Sequence, residues 1–139
     1  MQLDKFLEKA IKLQFVEKGR SWHGVDCWGL IVLAFIEINN IHLPVHTDGY
    51  TSIRRLNDLQ TLISNNKHEW SSTHKPQPMD CVLLKIRGIA SHIGLVINDH
   101  GGFIHIEDKC MTFVDSTKNR LWSGPGYNNV EGFYRYNYE

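Results

Sequence analysis

The chain has little of what marks the specialised protein classes. It contains three cysteines in 139 residues, and Cys27, Cys81 and Cys110 form an odd, widely spaced set with no C-x-x-C pair. That pattern argues against a disulfide framework. Neither sign of charge is in excess: 15 basic residues balance 15 acidic ones, and no long run of either is present. An electrostatic footprint for nucleic acid or an anionic membrane is therefore missing. No apolar stretch approaches the length of a transmembrane span. The first ten residues mix charge with apolar side chains and lack the continuous apolar core of a secretory signal. Internal repeats and low-complexity segments are absent too. What remains is one domain over residues 1–139, long enough to bury a core. It is expected to stay soluble in the cytoplasm unless a larger particle carries it elsewhere.

What is present begins with Gly24-Val25-Asp26-Cys27-Trp28-Gly29-Leu30, where a small turn runs into the most hydrophobic part of the chain. The run Leu30 to Ile36 is apolar on nearly every side. Its length favours a buried helix from Asp26 to about Asn39, with Asp26 capping the first turn. Cys27 then stands at a helix N-terminus, where unpaired N–H groups and the helix dipole favour a thiolate. Taken alone, this segment leaves two readings open, an activated nucleophile and a buried core cysteine.

Around this helix the order is simple. Leu3 to Phe15 carries apolar residues three and four apart and reads as an amphipathic helix. Lys18 to Gly24 is a glycine-bracketed loop with Trp22 and His23 at its lip. Ile53 to Ile63 has the spacing of a third helix. Ser64 to Thr73, with Trp70 inside it, reads as a connection leading to Lys75-Pro76-Gln77-Pro78. His42 and His46 are four apart, but Pro44 between them opposes a helix, and no cysteine or acidic motif supports zinc there. No metal and no cofactor are expected.

The second half reads as strands: Asp80 to Arg87, Ser91 to Asn98, Gly102 to Asp108, Thr112 to Ser116 and Gly132 to Asn137. Helices followed by an antiparallel sheet make an α+β protein. His92 and His105 lie on consecutive strands flanking Asn98-Asp99-His100-Gly101, a hairpin turn. Registers that pair an even residue with an odd one, such as a turn centred between Asp99 and His100, place both imidazoles on one face, and a slip of one residue separates them. If Cys27 faces this hairpin, a nucleophile, a base and an orienting group are together.

These residues resemble a known family. Val25-Asp26-Cys27-Trp28-Gly29-Leu30, the Pro44 after the central helix, Pro76-Gln77-Pro78-Met79-Asp80-Cys81-Val82-Leu83-Leu84, Ser91-His92-Ile93-Gly94-Leu95-Val96 and Phe103-Ile104-His105 occur in the order found in the NlpC-type cysteine peptidases of the papain-like superfamily. The versions in bacteriophage tail proteins are especially similar. The resemblance implies a papain-like core in which N-terminal helices pack on a C-terminal antiparallel sheet. It implies Cys27 as nucleophile, His92 as general base, His105 as the orienting third residue, and the backbone N–H of Cys27 in an oxyanion hole. The activity implied is hydrolysis of peptidoglycan stem peptides, commonly between D-γ-glutamyl and meso-diaminopimelate. Trp22, Asp26 and Trp28 are the expected substrate contacts. Other phage tail proteins are the expected partners, and the expected location is the host cytoplasm during assembly and then the virion tail tip. The alternative is a structural tail-tip or assembly protein that keeps the fold with little or no hydrolysis. Family members often carry a tyrosine where Phe15 stands, a serine where Trp28 stands and a glycine where Met79 stands.

Overall fold

The computed structural model describes residues 1–43, 69–86, 89–119, 122 and 129–138, and for residues 89–91 the backbone alone. The helix expected over Ile53 to Ile63, together with Pro44 and His46, lies outside these residues.

Helix α1 runs Leu3–Ala10 and buries Phe6 and Ala10, one turn apart on the same face. It is shorter than its apolar spacing suggests. Beyond Ile11 the backbone is taken by other partners: Phe15 donates to the Cys110 carbonyl, Val16 donates to the Val25 carbonyl, and Val25 donates to the Gln14 carbonyl. Bridges Gln14↔Met111 and Phe15↔Val25 thus replace the last helical turn. Strands β1 (Arg20–Ser21) and β2 (Gly24–Val25) form a small hairpin around Trp22 and His23.

Helix α2 spans Cys27–Asn39, and its residues Cys27 to Phe35 are all buried. Ile31 and Val32 have only modest helix propensity, but burying each such side chain contributes roughly 1.5–3 kcal/mol, which outweighs it. Asp26 caps the helix: its Oδ1 accepts from the Gly29 N–H at 2.8 Å. Asn40 ends it in the left-handed region at φ 53°, a conformation asparagine tolerates. Gly29 is needed for contact. A Cβ there would run into the Gly19 carbonyl, so the β1 loop can lie directly on the first turn of α2.

Strands β3 (Trp70–Thr73), β4 (Cys81–Ile86), β5 (Ile89–Val96), β6 (Gly102–His105), β7 (Phe113–Ser116) and β8 (Val130–Tyr136) form one sheet in the order β3-β8-β4-β5-β6-β7. Every pairing is antiparallel. The α+β arrangement expected from the order of elements is the one observed. Strand β3 departs from the sequence pattern, which marks Ser64 to Thr73 as a connection: Trp70–Thr73 is a strand. Ser71 and Ser72 are exposed at the sheet edge, and the segment becomes a strand by pairing with β8, Trp70 opposite Tyr136.

The sheet has two apolar faces. Leu83, Ile93, Leu95, Ile104 and Ile106 join α1 and α2 in the main core, whereas Val82, Leu84, Val96 and Phe103 pack with Trp122, Val130 and Phe133 on the other side. Leu95↔Ile104 and Val96↔Phe103 fix the β5–β6 register. The turn is centred between Asp99 and His100, and Asn98 Oδ1 accepts from the N–H groups of His100 and Gly102, at 2.9 Å each. This register is one of those that put His92 and His105 on a common face. No helix among the described residues is long and apolar enough to cross a membrane.

Candidate active site

The β5–β6 register brings the two histidines into contact. His92 Nε2 and His105 Nδ1 are 2.7 Å apart, a short hydrogen bond between fully buried rings. The rings meet edge to face. Gly94 leaves the space beside them empty of a side chain, and the Phe103 ring leans into it, since a Cβ on Gly94 would strike that ring. Phe103 and Phe113 flank His105 with ring centroids at 4.8 and 4.1 Å.

A carboxylate completes the row. His105 Nε2 lies 3.1 Å from Asp115 Oδ2, and Asp115 comes from β7, where it pairs with Phe103. The same Oδ2 accepts from Trp122 Nε1 at 3.1 Å. The other oxygen accepts from the Ser116 N–H at 2.7 Å and from Asn119 Nδ2 at 3.1 Å. Partial burial pushes the Asp115 carboxyl up, but the Ser116, Trp122 and Asn119 donors and the charge of His105 more than reverse this, so it is held below its ordinary range. Glu107 stands nearby and is raised by burial and by Asp115. Asp115, Trp122 and Glu107 were not singled out from the sequence. The available signal was an aspartate inside a strand, an unfavoured position, but its neighbour became visible only with the β6–β7 register.

Cys27 opens α2 and is completely shielded from solvent. Its thiol is met by the backbone N–H groups of Trp28 and of Ile93, the residue after His92 on β5. Burial first and the Asp26 charge second push it up to about 12, against those two N–H groups and Arg20. The helix N-terminus was expected to favour a thiolate; desolvation by the surrounding core wins instead. His92 is lowered to about 3, first by burial and then by His105, with Asp115 opposing. His105 is lowered by burial, again against Asp115. Both shifts run the same way: burial favours the uncharged thiol and the uncharged imidazole.

The three expected substrate contacts, Asp26, Trp28 and Trp22, each have their own surroundings. Asp26 is fully buried: besides Gly29 it takes the Lys18 N–H at 2.9 Å and Arg20 Nη1 at 2.7 Å, so its carboxylate holds the loop and the helix start together. Trp28 is 2 % exposed and part of the main core, because the helix side it occupies faces inward. Trp22 is half-buried, donating from Nε1 to Glu37 at 2.9 Å. Its ring meets Phe6 at a tilt, centroids 5.4 Å apart, and lies under Lys9 Nζ at 4.0 Å. It clamps its loop to both helices.

Donor atoms of His92, His105 and Glu107 lie within 4.8 Å of one another, the grouping among the described residues compact enough to share a metal ion. The two imidazoles already share a proton across 2.7 Å, so an ion would have to break that bond.

Comparison with known proteins places this geometry. The profile of the NlpC/P60 family matches residues 12–127. The chain belongs to the NlpC/P60 family. As a member it falls in a family of cysteine peptidases and peptidoglycan hydrolases. Its NlpC/P60 fold is similar to the crystal structure of the NlpC/p60 domain of peptidoglycan hydrolase SagA. The TM-score is 0.59 at 14% identity, over 95% of this chain and 92% of that one. Comparison with curated proteins gave no sequence match.

Proposed function

We propose that this protein is a phage tail-associated cysteine endopeptidase that hydrolyses peptidoglycan stem peptides, at the D-γ-glutamyl to meso-diaminopimelate type of bond. The observation that carries the reading is the buried His92–His105 pair on β5 and β6, with Cys27 brought to the same strand at the Ile93 N–H, in a chain of the NlpC/P60 family. The similarity to a domain of a peptidoglycan hydrolase supports the substrate class. The resemblance around Cys27-Trp28 supports the tail, and with it the host cytoplasm during assembly, the tail tip afterwards, and other tail proteins as partners.

In this reading Cys27 is the nucleophile, His92 the base and His105 the residue that orients it. Cys27 Sγ bonds to the scissile carbonyl carbon as His92 takes the thiol proton, and the N–H groups at the start of α2 face the developing oxyanion. Collapse breaks the C–N bond, and the proton passes from His92 to the departing amine. Water then attacks the thioester and gives a proton to His92, which returns it to the sulfur as the acid leaves. Since burial favours the uncharged thiol and the uncharged imidazole, proton transfer in this reading accompanies attack.

Digestion of purified stem peptides tests this. Wild type is expected to release the two halves and Cys27→Ala neither; inactivity of wild type across pH and assembly state would remove the proposal. A second reading, a structural tail protein with little hydrolysis, is favoured by one observation, the complete burial of Cys27. It predicts that Cys27→Ala leaves infection of thick-walled cells unchanged.

A further inference from the structure

Three groups stand in a row: His92 Nε2 to His105 Nδ1 at 2.7 Å, and His105 Nε2 to Asp115 Oδ2 at 3.1 Å. The direction of the protons along it follows from the far end. An ionised carboxylate only accepts, so the nitrogen facing Asp115 must carry the hydrogen. Neutral His105 then has its lone pair on Nδ1, and the hydrogen in the 2.7 Å bond belongs to His92 Nε2. A neutral His92 with hydrogen on Nε2 has its lone pair on Nδ1. The opposite ordering requires hydrogens on both nitrogens of His105, an imidazolium, which burial of that ring opposes.

We propose that Asp115 is a positioning residue that sets the tautomers of both histidines and so places the basic lone pair on His92 Nδ1, the nitrogen not engaged with His105. This deepens the hydrolytic reading and rests on it for its effect on rate. The proton balance is simple: His92 Nδ1 gains the Cys27 proton, Nε2 keeps its hydrogen bond to His105, and no proton leaves His105 or reaches Asp115. The negative charge of Asp115 favours the imidazolium through the intervening ring, which a neutral histidine alone does weakly. The carboxylate is itself fixed, since Ser116, Asn119, Trp122 and His105 fill its acceptor directions.

The test uses full-length protein labelled with ¹⁵N-histidine. In wild type both His92 and His105 should show protonated Nε2 and unprotonated Nδ1 at neutral pH. A proton on Nδ1 of either ring overturns the proposal, whether or not the protein cleaves peptides. Asp115→Asn keeps the shape and removes the charge. It should lower kcat at least ~10²-fold with KM within about threefold of wild type, and move the His92 Nδ1 resonance toward the protonated value. Retention of kcat within about twofold would equally overturn the proposal. An inactive wild type would remove the hydrolytic reading and leave the tautomers to decide this one, as they also do if the variant fails to fold.

Discussion

The neutral, buried His92 makes a quantitative prediction about stability. In the unfolded chain this histidine takes a proton near pH 6.5, whereas in the folded protein it resists one down to about pH 3. Its folded pKa is the lower, so the stabilisation is fully present above 6.5 and is lost as pH falls toward 3. Between pH 8 and pH 5 the loss from His92 alone is about 2 kcal/mol, approaching about 1.4 kcal/mol per pH unit at the lower end. His105 adds to the loss in the same direction. Urea unfolding at pH 5, 6, 7 and 8 measures it, and the comparison is with His92→Gln, which cannot titrate. The variant begins less stable because it loses the bond to His105, so the slopes are compared and not the absolute values. Wild type should lose about 2 kcal/mol more than the variant over this range. Parallel lines would show that His92 takes protons equally well folded and unfolded, and the account of a desolvated, neutral site would be wrong.

Other perturbations test other parts of the structure. Cys27 is raised from 9.0 to about 12, so its contribution is complete below pH 9 and should be lost as pH climbs from 9 toward 12; Cys27→Ala should flatten this alkaline limb in the same unfolding experiment. Asp26→Ala removes the cap on α2 and the 2.7 Å partner of largely buried Arg20, and should cost about 3–5 kcal/mol in urea unfolding. Gly29→Ala should lower the thermal midpoint, because the added methyl meets the fixed Gly19 carbonyl; a loss under about 1 kcal/mol would show that the loop can move away. Trp22→Phe keeps the ring against Phe6 and removes the bond to Glu37; a cost of about 1 kcal/mol with unchanged peptide cleavage would fit a clamp, whereas a large rise in KM would make it a substrate contact.

The parts of this protein that were legible in its sequence are those set by local pattern. The run Leu30 to Ile36 was long enough to declare a buried helix, and Asp26 declared its cap. The turn Asn98 to Gly101 lies in a hairpin short enough that few registers are available, and the observed one is among those that join His92 to His105. What was not legible depends on residues far away in sequence. Helix α1 stops at Ala10 because Val25, Cys110 and Met111 claim the following backbone. Strand β3 exists because β8, more than fifty residues later, lies beside it. Asp115 reaches His105 only through the β6–β7 pairing. The thiol shows the same limit in electrostatics: a helix N-terminus is a local feature that favours a thiolate, while the burial that overrides it comes from the whole core packed around Cys27.

The central claim is that Cys27 is acylated during cleavage of a peptidoglycan stem peptide. Intact-mass measurement after acid quenching of protein mixed with a defined stem peptide tests it directly. Wild type is expected to carry a mass increment equal to the acyl half, located on Cys27 by fragmentation, and Cys27→Ala to carry none and to leave the peptide whole. Equal cleavage by Cys27→Ala, or wild-type cleavage with the acyl increment on another residue, would contradict it.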